Sequence, residues 1–374
     1  MKNNRREFIR ITGLASIGLA GTSLFEACAT NSKQQNNPVT VEYASATLED
    51  GRTILTPFWR VDSGKKGPSL ALIAAQHGNE VQGAEVARRF KDICSSQLVS
   101  GSVWLVPMAN ILAVRSRRHS FNLGPEENNS INPEKLHNMQ RHWPGDPQGN
   151  DTARLAYALD QTVLRHCSHM IDMHCWNQFA AAEALSEETH EPSRSMGDVT
   201  TTRFISYRNS TIPDTGTMMI SQMMLKRGAG VHVMELSGQF QIQERQVEIG
   251  LSSMVNIARL LKLIEGDPQL IDGKRAVRTA DTTHTIKAPA TGLFVAAAKM
   301  GTTVNLGPDD FIEEGQQLGH IIREDDLETV PVIAPASGYI RQLGACHWGL
   351  CDASLPAQHP YTEEGENLAL IITV

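Results

Sequence analysis

Residues 69–80 read SLALIAAQHGNE. The run from Ser69 to Ala75 is apolar or small, follows a turn at Gly64-Lys65-Lys66-Gly67-Pro68, and ends in His77, Gly78, Asn79 and Glu80. An unbroken apolar run of this length, entered from a turn, reads as a strand buried on both faces. From Gly83 to Phe90 the apolar spacing becomes helical. The polar residues therefore fall where a buried strand hands over to a helix.

The same phrase returns along the chain. Ser102 to Met108 (SVWLVPM), Ser168 to His174 (SHMIDMH) and Gly230 to Leu236 (GVHVMEL) read as further buried strands. Thr152 to Cys167, Thr215 to Arg227 and Gln246 to Ile264 read as helices. Two short strands, VTVEYASA and TILTPFWRVD, precede them. Alternating strand and helix predicts an α/β domain with a mixed, largely parallel sheet. Residues 115–150 are polar and rich in Asn, Pro and Gly. A long irregular loop inside a domain points to function.

The texture changes near Gly266-Asp267-Pro268. Beyond Thr283 short strands alternate with Gly turns, which predicts a small all-β module. Ala288-Pro289-Ala290-Thr291-Gly292 is echoed by Ala334-Pro335-Ala336-Ser337-Gly338, and Glu314-Gly315-Gln316-Gln317-Leu318 by Glu364-Gly365-Glu366-Asn367-Leu368. The echo predicts pseudo-symmetry within the module. The expected division is a catalytic domain over 41–270 and a β-barrel-like module over 280–374, with the boundary between 266 and 282.

The chain has 374 residues, a formal net charge of -7, and 20% charged and 41% hydrophobic residues. These values suit a globular chain of one large or two moderate domains. No Lys/Arg block is long enough for a nucleic-acid footprint, so nucleic acid is excluded as a partner. Residues 1–28 have charges first, then a modestly apolar stretch from Ile11 to Phe25, then small residues. That is the layout of an export signal. Asn4-Arg5-Arg6-Glu7-Phe8-Ile9-Arg10 resembles a twin-arginine signal, which implies the twin-arginine translocation machinery as a partner and a periplasmic location. Cys28 follows Ala27 as in a degenerate lipoprotein cleavage site, and residues 29–40 form a polar tether. A lipid anchor at Cys28 and a soluble periplasmic protein both stand as readings. No cysteine pair has CxxC spacing. Cys346 and Cys351 stand either as a small disulfide loop or as two thiols.

Three segments carry chemistry. His77 and Glu80 are three apart at the first strand-to-helix turn, where an imidazole and a carboxylate reach one cation. His174 ends a buried strand, and Asp172 alternates onto the same side, placed to accept the second ring N–H of His174. In open α/β sheets the ligand site lies at the carboxyl ends of the strands. Two His and one Glu with an open position form a catalytic zinc set, which predicts one Zn²⁺ per chain. Glu235 ends a third strand. A carboxylate there suits proton transfer in metal-assisted amide hydrolysis. Cys175 is offset by one position and points to the other face.

These segments, in this order, resemble the succinylglutamate desuccinylase/aspartoacylase family of the zinc carboxypeptidase-like superfamily, over roughly residues 50–370. The resemblance implies a three-layer α/β/α domain with a β module flanking the site entrance. It implies His77, Glu80 and His174 as metal ligands and Glu235 as general base and acid. Met139-Gln140-Arg141-His142-Trp143-Pro144-Gly145 matches the family's Asn-Arg phrase, which implies Arg141 as the holder of a substrate carboxylate. Gln140 replaces the family's Asn with a side chain one methylene longer. For the family's carbonyl-polarising Arg the candidates are Arg115, Arg117 and Arg118; spacing from Asn110 favours Arg118, then Arg117. His119, His137 and His142 share this loop, and both lining the cleft and standing on the surface are open to them. Trp176 stands either as an aromatic wall or as packing.

The leading functional reading is a metal-dependent deacylase of a small carboxylate-bearing N-acyl amino acid. A rival is an exported metallocarboxypeptidase acting on peptides or cell-wall fragments. A reading of another class is a non-catalytic periplasmic binding protein on the same fold. No GxSxG elbow supports a serine hydrolase.

Overall fold

The computed structural model describes residues 37–121, 137–345 and 359–374. β1 (Val39–Thr47) and β2 (Thr53–Asp62) pair antiparallel. β3 (Ser69–Ala74) and β4 (Ser102–Val106) lie parallel, with the helix Gln82–Gln97 between them in sequence. β5 (His169–Trp176), β6 (Glu183–Glu187), β7 (Phe204–Arg208), β8 (Gly230–Ser237) and β9 (Ala276–Val277) complete a nine-stranded sheet in the order β1-β2-β4-β3-β5-β8-β6-β7-β9. The sheet is mixed: five of its pairings are parallel and three antiparallel. The centre, β4-β3-β5-β8, is wholly parallel.

Strand alternation divides the core into two. Ala71 and Ile73 of β3 pack on one side with Trp104 and Val106, beneath Leu155 and Leu159 of the helix Asp151–Thr162 and Met223 of the helix Ile220–Lys226. Leu70 and Leu72 pack on the other side with Val103 and Leu105, beneath Phe90 of Gln82–Gln97 and Met254 of the helix Glu244–Leu260. This is the three-layer arrangement that the resemblance implies. In Gln82–Gln97 the buried Gly83, Val86, Ala87, Phe90 and Cys94 recur at helical spacing and form one stripe. Full burial of a side chain such as Phe90 contributes about 1.5–3 kcal/mol.

The C-terminal module has two four-stranded sheets. One is built from β10 (Thr283–Lys287), β17 (Asn367–Ile372), β15 (Gly338–Leu343) and β12 (Phe311–Ile312). The other contains β14 (Thr329–Ile333), β13 (Gln317–Arg323), β11 (Gly292–Ala296) and β16 (Tyr361–Thr362). The repeated phrases make reciprocal bonds. Ala288 N–H donates to Glu366 O and Ala334 N–H to Gln316 O, both at 2.9 Å, while Gly365 N–H donates to Ala288 O and Gly315 N–H to Ala334 O, also at 2.9 Å. The echo in the sequence is thus a pseudo-twofold exchange between the two halves.

Several elements differ from expectation. The helix predicted from Thr215 starts at Ile220, because Pro213 and Gly216 (φ 82°) hold the preceding residues in a loop. β6, β7 and the helix Glu191–Asp198 had no legible period, each being at most eight residues long. β9 lies in the stretch read as a boundary, yet it pairs parallel with β7 in the large sheet. Among the described residues no helix is long and apolar enough to cross a membrane. Arg5, Arg6, Cys28, Cys346 and Cys351 lie outside the described residues.

Candidate metal centre

The centre sits where β3, β5 and β8 end side by side. β3 closes at Ala74, and Ala75 turns the chain out of the strand with φ 52°. A non-glycine residue in that region carries about 1–2 kcal/mol of strain, which the surrounding packing must hold. His77 and Glu80 follow. His174 and Glu235 are register partners on the parallel pair β5 and β8, so they share a face.

Glu80 bridges the two imidazoles. Its Oε1 lies 2.9 Å from His77 Nδ1 and its Oε2 2.9 Å from His174 Nδ1. Cys175 N–H donates to Oε2 at 3.1 Å. Ligand atoms of His77, Glu80 and His174 all lie within 4.8 Å of one another, and all three residues are buried. Two imidazole nitrogens and a carboxylate oxygen converging in this way fit a single Zn²⁺.

The far side of each imidazole is also held. His77 Nε2 lies 3.0 Å from Asn138 Oδ1, which in turn accepts Gln140 N–H at 3.0 Å. His174 Nε2 lies 3.0 Å from Asp172 Oδ2, an ion-pair distance without the alignment of a hydrogen bond. Gln76 Nε2 donates to Asp172 Oδ1 at 2.6 Å, and buried Trp143 donates its indole N–H to Gln76 Oε1 at 2.8 Å. Gln239 Nε2 donates to Cys175 O at 2.9 Å and approaches Glu80 Oε1 at 3.4 Å. Asp172 is legible in the sequence, whereas the roles of Asn138, Gln76 and Gln239 emerge only in the fold. Adjacency to His77 was the available signal for Gln76, and the fixed offset from Gln140 was the signal for Asn138.

Charge is tightly coupled here. Burial opposes charge on His174, but Asp172 and Glu80 outweigh it and hold its pKa well above the usual imidazole value. Burial also opposes charge on Glu80, but His77 and His174 hold its carboxyl well below the usual range. Glu235 goes the other way. Burial pushes its carboxyl up to about 8, with Glu80 and Asp172 adding to the shift and His174 and Arg341 only partly offsetting it. Its carboxyl makes no hydrogen bond among the described residues, so its lone pairs stay available.

The other candidates are spread around this centre. Gln140 Nε2 reaches to 3.5 Å from His174 Nε2. Arg141 is exposed on the same 3₁₀ turn (Met139–Arg141), and among the described residues its guanidinium has no ion-pair partner. Arg115 and Arg117 are exposed; Arg117 caps the helix Ile111–Ser116 with φ 56°. Arg118 is half-buried, and its carbonyl faces Gly78. His119 stacks on His77 with ring centroids 3.7 Å apart and planes 19° apart. Burial, with His77 beside it, lowers the His119 pKa to about 3. Cys175 packs with Met173 and Leu236 on the opposite face, as its offset predicts. Arg341 lies over Trp176 at 5.3 Å from the ring centroid, so Trp176 forms part of the contact with the C-terminal module.

A three-layer α/β/α sheet with a His-Glu-His cluster at its central strand ends defines a zinc carboxypeptidase-like chain. More narrowly, the chain belongs to the succinylglutamate desuccinylase/aspartoacylase family, whose catalytic-domain profile matches residues 66–259, just over half of it. A curated relative, the N-alpha-acetyl-L-2,4-diaminobutyric acid deacetylase of Halomonas elongata, is 25% identical over 140 residues, covering 36% of this chain and 37% of that one. The match thus spans little more than a third of that relative. Solved structures share the fold over nearly the whole length. An aspartoacylase family protein from Mesorhizobium loti has a TM-score of 0.64 at 17% identity, covering 92% of this chain and 98% of that one. The product-bound ectoine utilization protein EutE (DoeB) from Ruegeria pomeroyi has a TM-score of 0.64 at 16% identity, with 92% and 98% covered.

Proposed function

We propose that the chain is a metal-dependent amide hydrolase that removes the acyl group from a small N-acyl amino acid. The observation that carries this reading is the Glu80-bridged His77/Glu80/His174 cluster with Glu235 in register with His174 on the neighbouring strand. His77, Glu80 and His174 are the residues that hold Zn²⁺, with Asp172 and Asn138 fixing the two rings from behind. When bound, the ion supplies a Lewis acid that polarises a carbonyl and acidifies water. Glu235, whose carboxyl is buried on the strand beside the cluster, takes the proton of the attacking water and delivers it to the leaving nitrogen as the C–N bond breaks. Arg141 offers a forked donor for the substrate carboxylate, and Gln140 an amide beside it. Arg118, then Arg117, are the candidates for a guanidinium that polarises the scissile carbonyl. The Halomonas elongata relative is named for removing an acetyl group from a diamino acid, which makes N-acetylated amino acids the first substrates to try.

The experiment pairs metal analysis with turnover. Purified protein is expected to carry about one zinc per chain. Glu235→Gln is expected to keep the zinc and lose at least about 10²-fold in kcat. Little zinc after growth in ample zinc, or unchanged turnover in the variant, overturns the reading.

We also propose export to the periplasm through the twin-arginine machinery, with Cys28 as an optional lipid anchor. The support is the sequence of residues 1–28 alone. Fractionation and the mass of the mature N-terminus test it; an uncleaved cytoplasmic chain rules it out.

A further inference from the structure

We infer that His119 is a further catalytic residue, a hydrogen-bond donor to the carbonyl oxygen of the scissile amide. The inference rests on the hydrolase reading above.

Arg115, Arg117 and Arg118 are the sequence's candidates for a carbonyl-polarising group, with Arg118 favoured. Arg115 and Arg117 are exposed, and Arg118 is half-buried. The ring of His119 instead lies face to face with His77 at 3.7 Å. Its place is fixed on three sides. Its carbonyl accepts Gly78 N–H at 3.2 Å, and the preceding Arg118 N–H donates to Ala113 O at 3.3 Å. Ser120 is buried, and its Oγ lies 2.9 Å from His119 Nδ1. With the Ser120 hydroxyl as donor to Nδ1, the ring proton sits on Nε2, and no hydrogen bond reaches Nε2 from the described residues. An N–H donor is thus held beside a metal-binding imidazole with no acceptor for it among the described residues.

The chemistry needs such a donor. As the water oxygen bonds to the carbonyl carbon, the C=O π pair moves onto oxygen. A positioned N–H stabilises that charge and keeps its own proton. When the C–N bond breaks, the pair returns and Glu235 supplies the proton that the amine takes. Removing one donor of this kind costs about 10²–10³ in kcat.

Two substitutions separate donor from packing. His119→Phe keeps a ring on His77 and removes the N–H. His119→Gln gives up the stack and offers an amide N–H. For an N-acetyl amino acid that the wild type hydrolyses, His119→Phe is expected to retain zinc and KM within about threefold while kcat falls about 10²–10³-fold. His119→Gln is expected to regain at least about tenfold over Phe. Wild-type kcat in His119→Phe overturns the assignment, as does a fall in activity that only tracks lost zinc. A wild type that hydrolyses no N-acyl amino acid sinks the hydrolase reading and this one with it. An active wild type with an unimpaired His119→Phe sinks only the role of His119.

Discussion

Glu235 is held at about 9% exposure with a pKa raised to about 8 from 4.5, and that shift has a stability consequence in zinc-free protein. Below about pH 4.5 the carboxyl is protonated both folded and unfolded. Between about 4.5 and about 8 the unfolded chain has released the proton and the folded chain retains it. The unfolded state then binds fewer protons, so this residue makes stability fall as pH rises through that window. Glu235→Gln removes the contribution. Its stability relative to wild type is expected to grow across the window, by up to a few kcal/mol, in urea unfolding of chelator-treated protein. Parallel pH profiles for the two proteins would remove the explanation by burial. The legible part of the centre shares one trait: His77, Glu80, His174 and Glu235 each stand at or just past a strand end, where polar chemistry interrupts an apolar run. Asn138 carries no such mark, and Gln76 and Gln239, though they stand just past strand ends, do not show there which group they bond. An amide has no pattern of its own, and its partner is set by how loops fold back.

Gly78 shows what the elements require of the turn between β3 and the helix Gln82–Gln97. A Cβ there would come within 2.1 Å of Ala113 C and 2.5 Å of Arg118 O. The end of the helix Ile111–Ser116 therefore rests directly on the metal-binding turn and brings His119 with it. Gly78→Ala is expected to push these elements apart, costing about 1–3 kcal/mol in urea unfolding. It should also lower activity in parallel with His119→Phe. Full activity at unchanged stability would show that the close approach is dispensable. Long, strongly periodic elements such as Gln82–Gln97 and Glu244–Leu260 are legible because their buried stripe repeats over several turns. β6 and β7 are not, since five residues buried between neighbours leave no period to read.

On the scale of the molecule, the C-terminal module is fastened to the catalytic sheet beside the active centre. Ala181 N–H donates to Arg341 O at 2.8 Å, and Leu343 N–H to Phe179 O at 2.9 Å. The side chain of Arg341 reaches Glu183 Oε2 at 2.7 Å, and Arg278 reaches Glu183 Oε1 at 2.6 Å. Glu183 is fully buried and is the register partner of Glu235. Burial opposes its charge, but Arg341 and Arg278 hold its carboxyl below the usual range. Arg341→Met strips one counter-charge from this buried group and is expected to destabilise the chain by about 3–5 kcal/mol in chemical denaturation. A change under about 0.5 kcal/mol would mean that Arg278 alone suffices. From the sequence alone the module reads as a structural flank with internal symmetry, and the symmetry is there in the reciprocal bonds of Ala288 and Ala334. Its contribution of a buried guanidinium next to the active centre was not legible, because Arg341 and Glu183 lie 158 residues apart and neither position carries a motif. By itself the sequence determined the α/β class, the β module and the four residues at the strand ends. Strand burial and metal-ligand chemistry are written in local pattern and residue type. Only the tertiary structure decided which face His119 stacks on, which amides hold the ligands and how the module is tied in. Those contacts join segments distant in the chain, and their energy comes from packing and charge pairing that no local pattern encodes.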